Sequence, residues 1–392
     1  MAVGKADSAV GGWLPALLIV ALTGTIIEID MSVPSFPDIA RELGVGGPAV
    51  QLTVTLNFLG YCLGALCHGP LSDRFGRRPV LLGGSAVMLV GALGCALAPT
   101  IGLLLAARFV QGIGASAAAV LVFVIIGDRY RGPAALRMYG LVNAAMSALM
   151  TCAPLLGGAI NRVAGWRGNY LAVCATTALS LLLVFLFLPE TRTRARTAIT
   201  ARSVLADYRR LLGSRAYLAA SLTPSLLFAA YLVFIAASPF LYTAAFGLGV
   251  TGFALHLLVV VASFAVPSAF ATGIIPLLGG PAGAVRWGLG AVVVGVLGFL
   301  LLGDGPVAVT GSVALFCVGF AVCYPVVFDR SMSVFPELAG AASSATMGLR
   351  ALLVTLLTAL AGALSTGGPL APAAVMAGAV AAVVLLSALS PR

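Results

Sequence analysis

The sequence predicts an all-α membrane protein of twelve transmembrane helices, arranged as two pseudo-symmetric six-helix halves with both termini in the cytoplasm. Three observations predict it. Apolar residues make up 61% of the 392-residue chain and charged residues 9%, with a mean hydropathy of +1.11, far from water-soluble domains. The apolar residues gather in twelve windows, each of a length suited to crossing a hydrocarbon core of about 30 Å as a helix. Basic residues alternate in density between successive connections: with odd-numbered connections outside, 17 Lys and Arg fall inside and three, Arg41, Arg162 and Arg167, fall outside. The positive-inside rule then places both termini in the cytoplasm.

In chain order, the windows of the first half are 12–35, 48–69, 80–98, 101–126, 138–160 and 169–189. The first is full length and lacks a small-residue cleavage pattern, so it is expected to stay as a span. Residues 190–215 form the one long polar stretch, in which 204–212 has helical apolar spacing suited to lying on the inner membrane surface. The second half comprises windows 217–244, 252–278, 284–303, 307–328, 341–364 and 371–389. This divides the chain into a bundle at 1–189, a linker at 190–215 and a bundle at 216–392. A weak internal symmetry agrees with duplication, since span four ends in Asp128-Arg129 and span ten in Asp329-Arg330. Two related halves with a site between them at mid-membrane is a transporter plan.

Composition also excludes classes. The net charge of +10 resides mostly in short loops, as topology dictates, and predicts no nucleic-acid partner. The seven cysteines sit in apolar stretches without C-x-x-C spacing or clustered His, indicating neither disulfides nor a metal site. No phosphate-binding loop of G-x-x-x-x-G-K-S/T form occurs, so ATP is not the expected fuel, no cofactor is expected, and no catalytic constellation suggests an enzyme.

Chemistry is concentrated in a few places. Gly69-Pro-Leu-Ser-Asp73-Arg74-Phe-Gly76-Arg77-Arg78-Pro79 lies between spans two and three and is expected to form a tight charged turn. Charges inside spans are Glu28 and Asp30 in span one, Arg108 in span four and Arg350 in span eleven. Each costs roughly 2.5 to 3.5 kcal/mol on insertion scales, so each needs a partner or a watered cavity. Asp30 and Arg108 lie at similar depth, which makes their contact reasonable. Glu28 is about 200° around the helix from Asp30, so one of the two acids can face Arg108 while the other points elsewhere. Either acid is a candidate to take up and release a proton, and the alternative is a static ion pair or an acid in an outer vestibule. Arg350, near mid-membrane, has three readings: a contact for an electronegative cargo group, a partner for a carboxylate, or a brace between helices.

The charged turn resembles the signature G-x-L-x-D-R-x-G-R-R/K of the major facilitator superfamily. Arg108, Gln111, Gly112, Gly114 and Ala115 are similar to its span-four pattern R-x-x-Q-G-x-G-A. Pro154, Gly157 and Gly158 resemble its antiporter motif G-x-x-x-G-P-x-x-G-G, with Leu149 and Ala153 standing where that pattern has Gly. Asp30, Met31, Pro34 and Pro37 resemble the D-M-x-x-P-x-x-P stretch of the bicyclomycin and chloramphenicol resistance exporters, a drug:proton antiporter branch. A related multidrug facilitator has residues matching Asp30, Arg108, Gln111 and Asp128, but its second span-one acid falls where this chain has Leu22. The resemblance implies a gate made of Gly69, Asp73, Arg74, Gly76, Arg77, Arg78 and Asp128, with Asp73 meeting span eleven near Ala341 and Arg77 reaching Asp128.

Helix position and side-chain chemistry nominate Asn57, Tyr61, Gln111, Met146, Met150, Tyr231, Phe234, Ser238, Tyr242, Phe264, Phe320, Tyr324, Met347 and Arg350 as cavity residues, since aromatic and Met surfaces suit varied amphipathic ligands. The expectation is a monomeric proton-coupled antiporter in a bacterial cytoplasmic membrane, with protons, lipid and a small antibiotic-like molecule as partners. A transporter of a sugar, amino acid or other metabolite is the alternative. A non-transporting scaffold is disfavoured by the buried acids.

Overall fold

The computed structural model describes residues 13–130, 132–191, 201–335, 338–365 and 367–389. Lys5, Arg131, Arg392 and the linker arginines at 192, 194 and 196, all used in the charge-based topology, lie outside the described residues or carry side chains that do. Among the described residues, eleven helices are long and apolar enough to cross a membrane. One of them, Gly132–Phe187, has 56 residues and would be about 84 Å long if straight. It is broken at Gly165, whose φ of 66° and ψ of −179° are non-helical. A left-handed φ with extended ψ is a conformation that glycine takes without a Cβ penalty. The break yields spans five (132–164) and six (166–187), and twelve spans result.

The others are span one, Leu14–Asp30, prolonged by a 3₁₀ turn and the short helix Phe36–Glu42. Span two is Gly47–Phe75, span three Arg77–Leu97 and span four Ile101–Arg129. Span seven is Arg215–Phe240, closed by a π-helical turn at Leu241–Ala245. Span eight is Val250–Ala269, followed by Ala271–Leu277; spans nine to twelve are Gly280–Leu302, Pro306–Ser333, Ala339–Ala363 and Leu370–Leu389. The surface helix is Ala201–Leu212. Spans four and seven begin on side-chain caps, Thr100 accepting from the Leu103 N–H and Ser214 from the Tyr217 N–H.

In one respect the architecture differs from the expected turn at 69–79. Helix continues to Phe75 and resumes at Arg77, so the turn is the single residue Gly76, with φ 103°. The charges therefore lie on helix ends, where their side chains can reach neighbouring spans.

Small residues set the spacing of the helices. A Cβ on Gly60 would strike the Phe109 carbonyl, one on Gly112 the Asn57 carbonyl, and one on Gly114 the backbone of Met88. Spans two, three and four therefore meet backbone to backbone, as packing in lipid favours. Gly288 and Gly319 do the same for spans nine and ten. Between the two sets of spans, span two lies along span eleven and span five along span eight. Thr55 and Thr358 share a hydroxyl hydrogen bond of 2.9 Å across the first seam, and a Cβ built on Gly158 would lie 3.8 Å from the Ala254 methyl across the second. Leucines such as Leu97, Leu301 and Leu364 point outward, as lipid requires.

Candidate functional site

Span one carries Glu28 inward, span two brings Asn57, and span four brings Arg108 and Gln111 one helical turn apart. All four are at most 2% exposed. The Arg108 Nη1 lies 3.8 Å from the Glu28 Oε2 and donates at 2.9 Å to the Gln111 Oε1, while its Nε donates to the Thr53 carbonyl at 3.4 Å. The Asn57 amide donates to both the Glu28 carboxylate and the Arg108 carbonyl, at 3.3 Å each. Below the guanidinium lies the Tyr170 ring, 5.7 Å away. Three atoms in this knot, Asn57 Oδ1, Arg108 Nη2 and Gln111 Nε2, have no hydrogen-bond partner among the described residues.

The Asp30 to Arg108 contact is corrected here: the arginine's acid is Glu28. Depth could not separate the two, because they differ by only about 3 Å in height; the helical rotation that turns Glu28 toward Asn57 and Arg108 decides. Asp30 is 5% exposed and has no ion-pair partner among the described residues. It lies close enough to act electrostatically on Tyr231 of span seven, whose buried hydroxyl has no hydrogen-bond partner among the described residues. Span five closes against this region, Gly157 packing on the Met31 carbonyl immediately after Asp30. Pro154 sits inside the same helix.

Across the seam an aromatic chain runs through the second set of spans. Tyr231 stacks on Phe264 at 6.2 Å, Phe264 meets Phe320 at 4.9 Å, Phe320 meets Tyr324 at 5.2 Å and Tyr324 stacks on Phe328 at 5.5 Å. Arg350 joins it: Nη1 donates to the Tyr324 hydroxyl at 2.8 Å, Nη2 to the Met347 sulfur, and the guanidinium lies 4.6 Å over the Phe228 ring. Tyr61 of span two is within hydrogen-bonding reach of it. These nominated residues are brought together. Met146 and Met150 are half-buried against the apolar core.

Three nominated cavity residues are placed elsewhere. Phe234 packs edge-on against Phe299 and Tyr242, and Tyr242 contacts Phe253 and His256 while hydrogen-bonding Thr310 at 2.5 Å. Ser238 bonds back to the Ile235 carbonyl. Their helix turns them into the body of spans seven to ten, a rotation that hydropathy does not encode.

At the span two to span three joint, Arg77 donates to Asp73 at 2.5 Å, to Ser72 at 2.9 Å and to Asp128 at 3.0 Å. Arg78 reaches the Phe185 carbonyl at 2.6 Å, and Arg74 lies over Phe75. Sequence reasoning missed Glu190, which accepts from the Arg77 and Arg78 backbone N–H groups at 2.9 and 3.3 Å. It caps span three, where a carboxylate meets unpaired N–H groups and the positive end of the helix dipole. A Cβ on Gly76 would strike that carboxylate, so Gly76 serves both the turn and the cap. Gly69 approaches span eleven at Ser344. Tyr208 of the surface helix was also missed: its hydroxyl donates to the Leu66 carbonyl at 2.9 Å. Burial pushes the Tyr208 phenol above its usual range, which keeps it a donor at neutral pH. A carboxylate following span six and an aromatic on the apolar face of the surface helix were the only signals available for these two.

Twelve apolar helices enclosing a buried acid and base network define a multi-pass membrane transporter fold. The profile of the Major Facilitator Superfamily matches residues 17–359, and the chain belongs to that family. It is similar to a chloramphenicol resistance protein of Pseudomonas aeruginosa, 29% identical over 69% of this chain and 64% of that protein. A bicyclomycin resistance protein homolog of Haemophilus influenzae is 28% identical over 57% of each chain. The chain thus spans less than two thirds of these curated relatives. Among solved structures, a partially occluded inward-open conformation of the Escherichia coli xylose transporter XylE superposes with a TM-score of 0.74 at 15% identity, over 96% of this chain and 97% of that one. The protein is a multi-pass protein of the bacterial inner membrane.

Proposed function

We propose that the chain is a secondary active exporter, exchanging an external proton for a small antibiotic-like or amphipathic molecule by alternating access. The observation that carries this reading is the pair of buried acids with unequal company: Glu28 tied to Arg108 and Asn57, and Asp30 beside Tyr231 with no ion-pair partner among the described residues. A proton is the partner that neutralises such an isolated acid within the membrane. Asp30 is then the proton carrier, and Glu28 holds Arg108 in place. The names of the chloramphenicol and bicyclomycin relatives support a drug as cargo.

The working parts follow from this reading. Residues 1–189 and 216–392 rock as two bundles joined by the 190–215 linker, and the chain acts as a monomer. The Arg77 cluster with Asp73, Asp128 and Glu190 braces the cytoplasmic end while Gly69 meets Ser344. Pro154, Gly157 and Gly158 let span five bend against spans one and eight. Exchange of one proton for one neutral molecule draws on about 2.3 kcal/mol per 100 mV and about 1.4 per pH unit, enough for a gradient of roughly a few hundredfold.

The test is expression in a drug-sensitive bacterium with inhibitory concentrations measured over a panel that includes chloramphenicol and bicyclomycin. A rise in inhibitory concentration is expected for at least one compound. No change for any compound, with the protein present in the membrane, contradicts the reading.

A further inference from the structure

We infer that Arg350 is a charge filter in the cargo site: it selects uncharged molecules bearing an acceptor oxygen and excludes lipophilic cations. The inference rests on the exporter reading and specifies its substrate class.

Among the described residues the Arg350 guanidinium meets neutral groups: the Tyr324 hydroxyl, the Met347 sulfur and the face of Phe228. Among the described residues no carboxylate lies within 4.0 Å of it. Of the span-one acids, Glu28 pairs with Arg108, and neither it nor Asp30 forms an ion pair with Arg350. The arginine's charge is permanent and is not cancelled locally. Arg350, Phe228 and Tyr324 are each half-buried, so the group is not sealed in the core.

Two consequences follow for a guest. Aromatic side chains ordinarily welcome cations on their ring faces, but here the guanidinium already occupies the Phe228 face and donates to the Tyr324 hydroxyl. An incoming cation meets an occupied seat and a like charge. At about 7 Å and an effective dielectric of about 20, that repulsion weakens binding about fiftyfold. A neutral molecule with a carbonyl or phosphoryl oxygen gains instead, because it can replace the methionine sulfur, a weak acceptor, with a strong one.

The experiment compares two probes of nearly equal shape, methyltriphenylphosphonium and triphenylphosphine oxide, for binding to the purified full chain and for export from vesicles. Wild type is expected to prefer the oxide by about fiftyfold, Arg350→Lys to keep the preference, and Arg350→Gln to lose it and to gain export of the phosphonium. Equal or tighter binding of the phosphonium by wild type overturns the inference, as does binding of neither probe or an unchanged preference in folded Arg350→Gln. The wild-type comparison decides even where the variant does not fold. A chain that prefers the oxide yet exports nothing would contradict the exporter reading and leave the filter standing.

Discussion

At the scale of single residues, the unequal treatment of Glu28 and Asp30 organises the site. Glu28 shares Asn57 with the Arg108 backbone, so its replacement disturbs a network, whereas Asp30 has no ion-pair partner among the described residues. Glu28→Gln keeps an acceptor for the Asn57 amide and is expected to slow transport while retaining cargo-induced proton release. Arg108→Ala would leave Glu28 as an unpaired buried charge, a change typically costing about 3 to 5 kcal/mol. A large fall in the thermal midpoint of the purified protein is expected, and partial recovery in the double variant with Glu28→Gln checks that the lost pair is the cause. Both acids were legible in the sequence as costly intramembrane charges. Their assignment was not, because the partner depends on the rotation of span one, and each residue step turns a helix by about 100°.

At the scale of elements, the spans were legible because length and hydropathy suffice to define a membrane crossing. Gly165 and Gly76 show where local chemistry refined the picture, dividing one 56-residue helix and reducing an expected loop to a single residue. The contacts that tie elements together were less visible. Glu190 caps a helix 113 residues earlier in the chain, and Thr55 meets Thr358 across 303 positions; no periodic pattern carries such pairings. The packing of Phe234, Ser238 and Tyr242 into the body of spans seven to ten was hidden for the same reason. Two outcomes test the packing. Gly112→Ala drives a methyl into the Asn57 carbonyl and is expected to destabilise by about 1 to 3 kcal/mol, read as a lower thermal midpoint. Glu190→Ala removes the span-three cap and should cost about 1 kcal/mol, whereas Glu190→Gln, which keeps an acceptor, should cost less.

For the whole molecule, the exchange of proton and cargo requires the seam between spans two and eleven to open and close. Gly69 is the place to test it, because a Cβ built there lies 3.5 Å from the Ser344 Cβ, within the range a disulfide accepts. In a background with the seven native cysteines replaced, Gly69→Cys with Ser344→Cys is expected to cross-link on oxidation, to halt transport and to recover on reduction. Unimpaired transport after complete cross-linking would show that this seam does not move. Tyr208, bonded to Leu66 of span two from a surface helix that packs on span eleven, sits at the same seam. Tyr208→Phe should lower the inhibitory concentration conferred without reducing the amount of protein in the membrane.

The central claim is that Asp30 carries the proton exchanged for cargo. Its most direct measurement is cargo-induced proton release from the purified protein, followed with a pH indicator in lightly buffered detergent solution for wild type, Glu28→Gln and Asp30→Asn. Wild type and Glu28→Gln are expected to release protons when cargo is added, and Asp30→Asn to bind cargo and release none. Proton release by Asp30→Asn equal to that of wild type would contradict the claim and place the coupling site elsewhere.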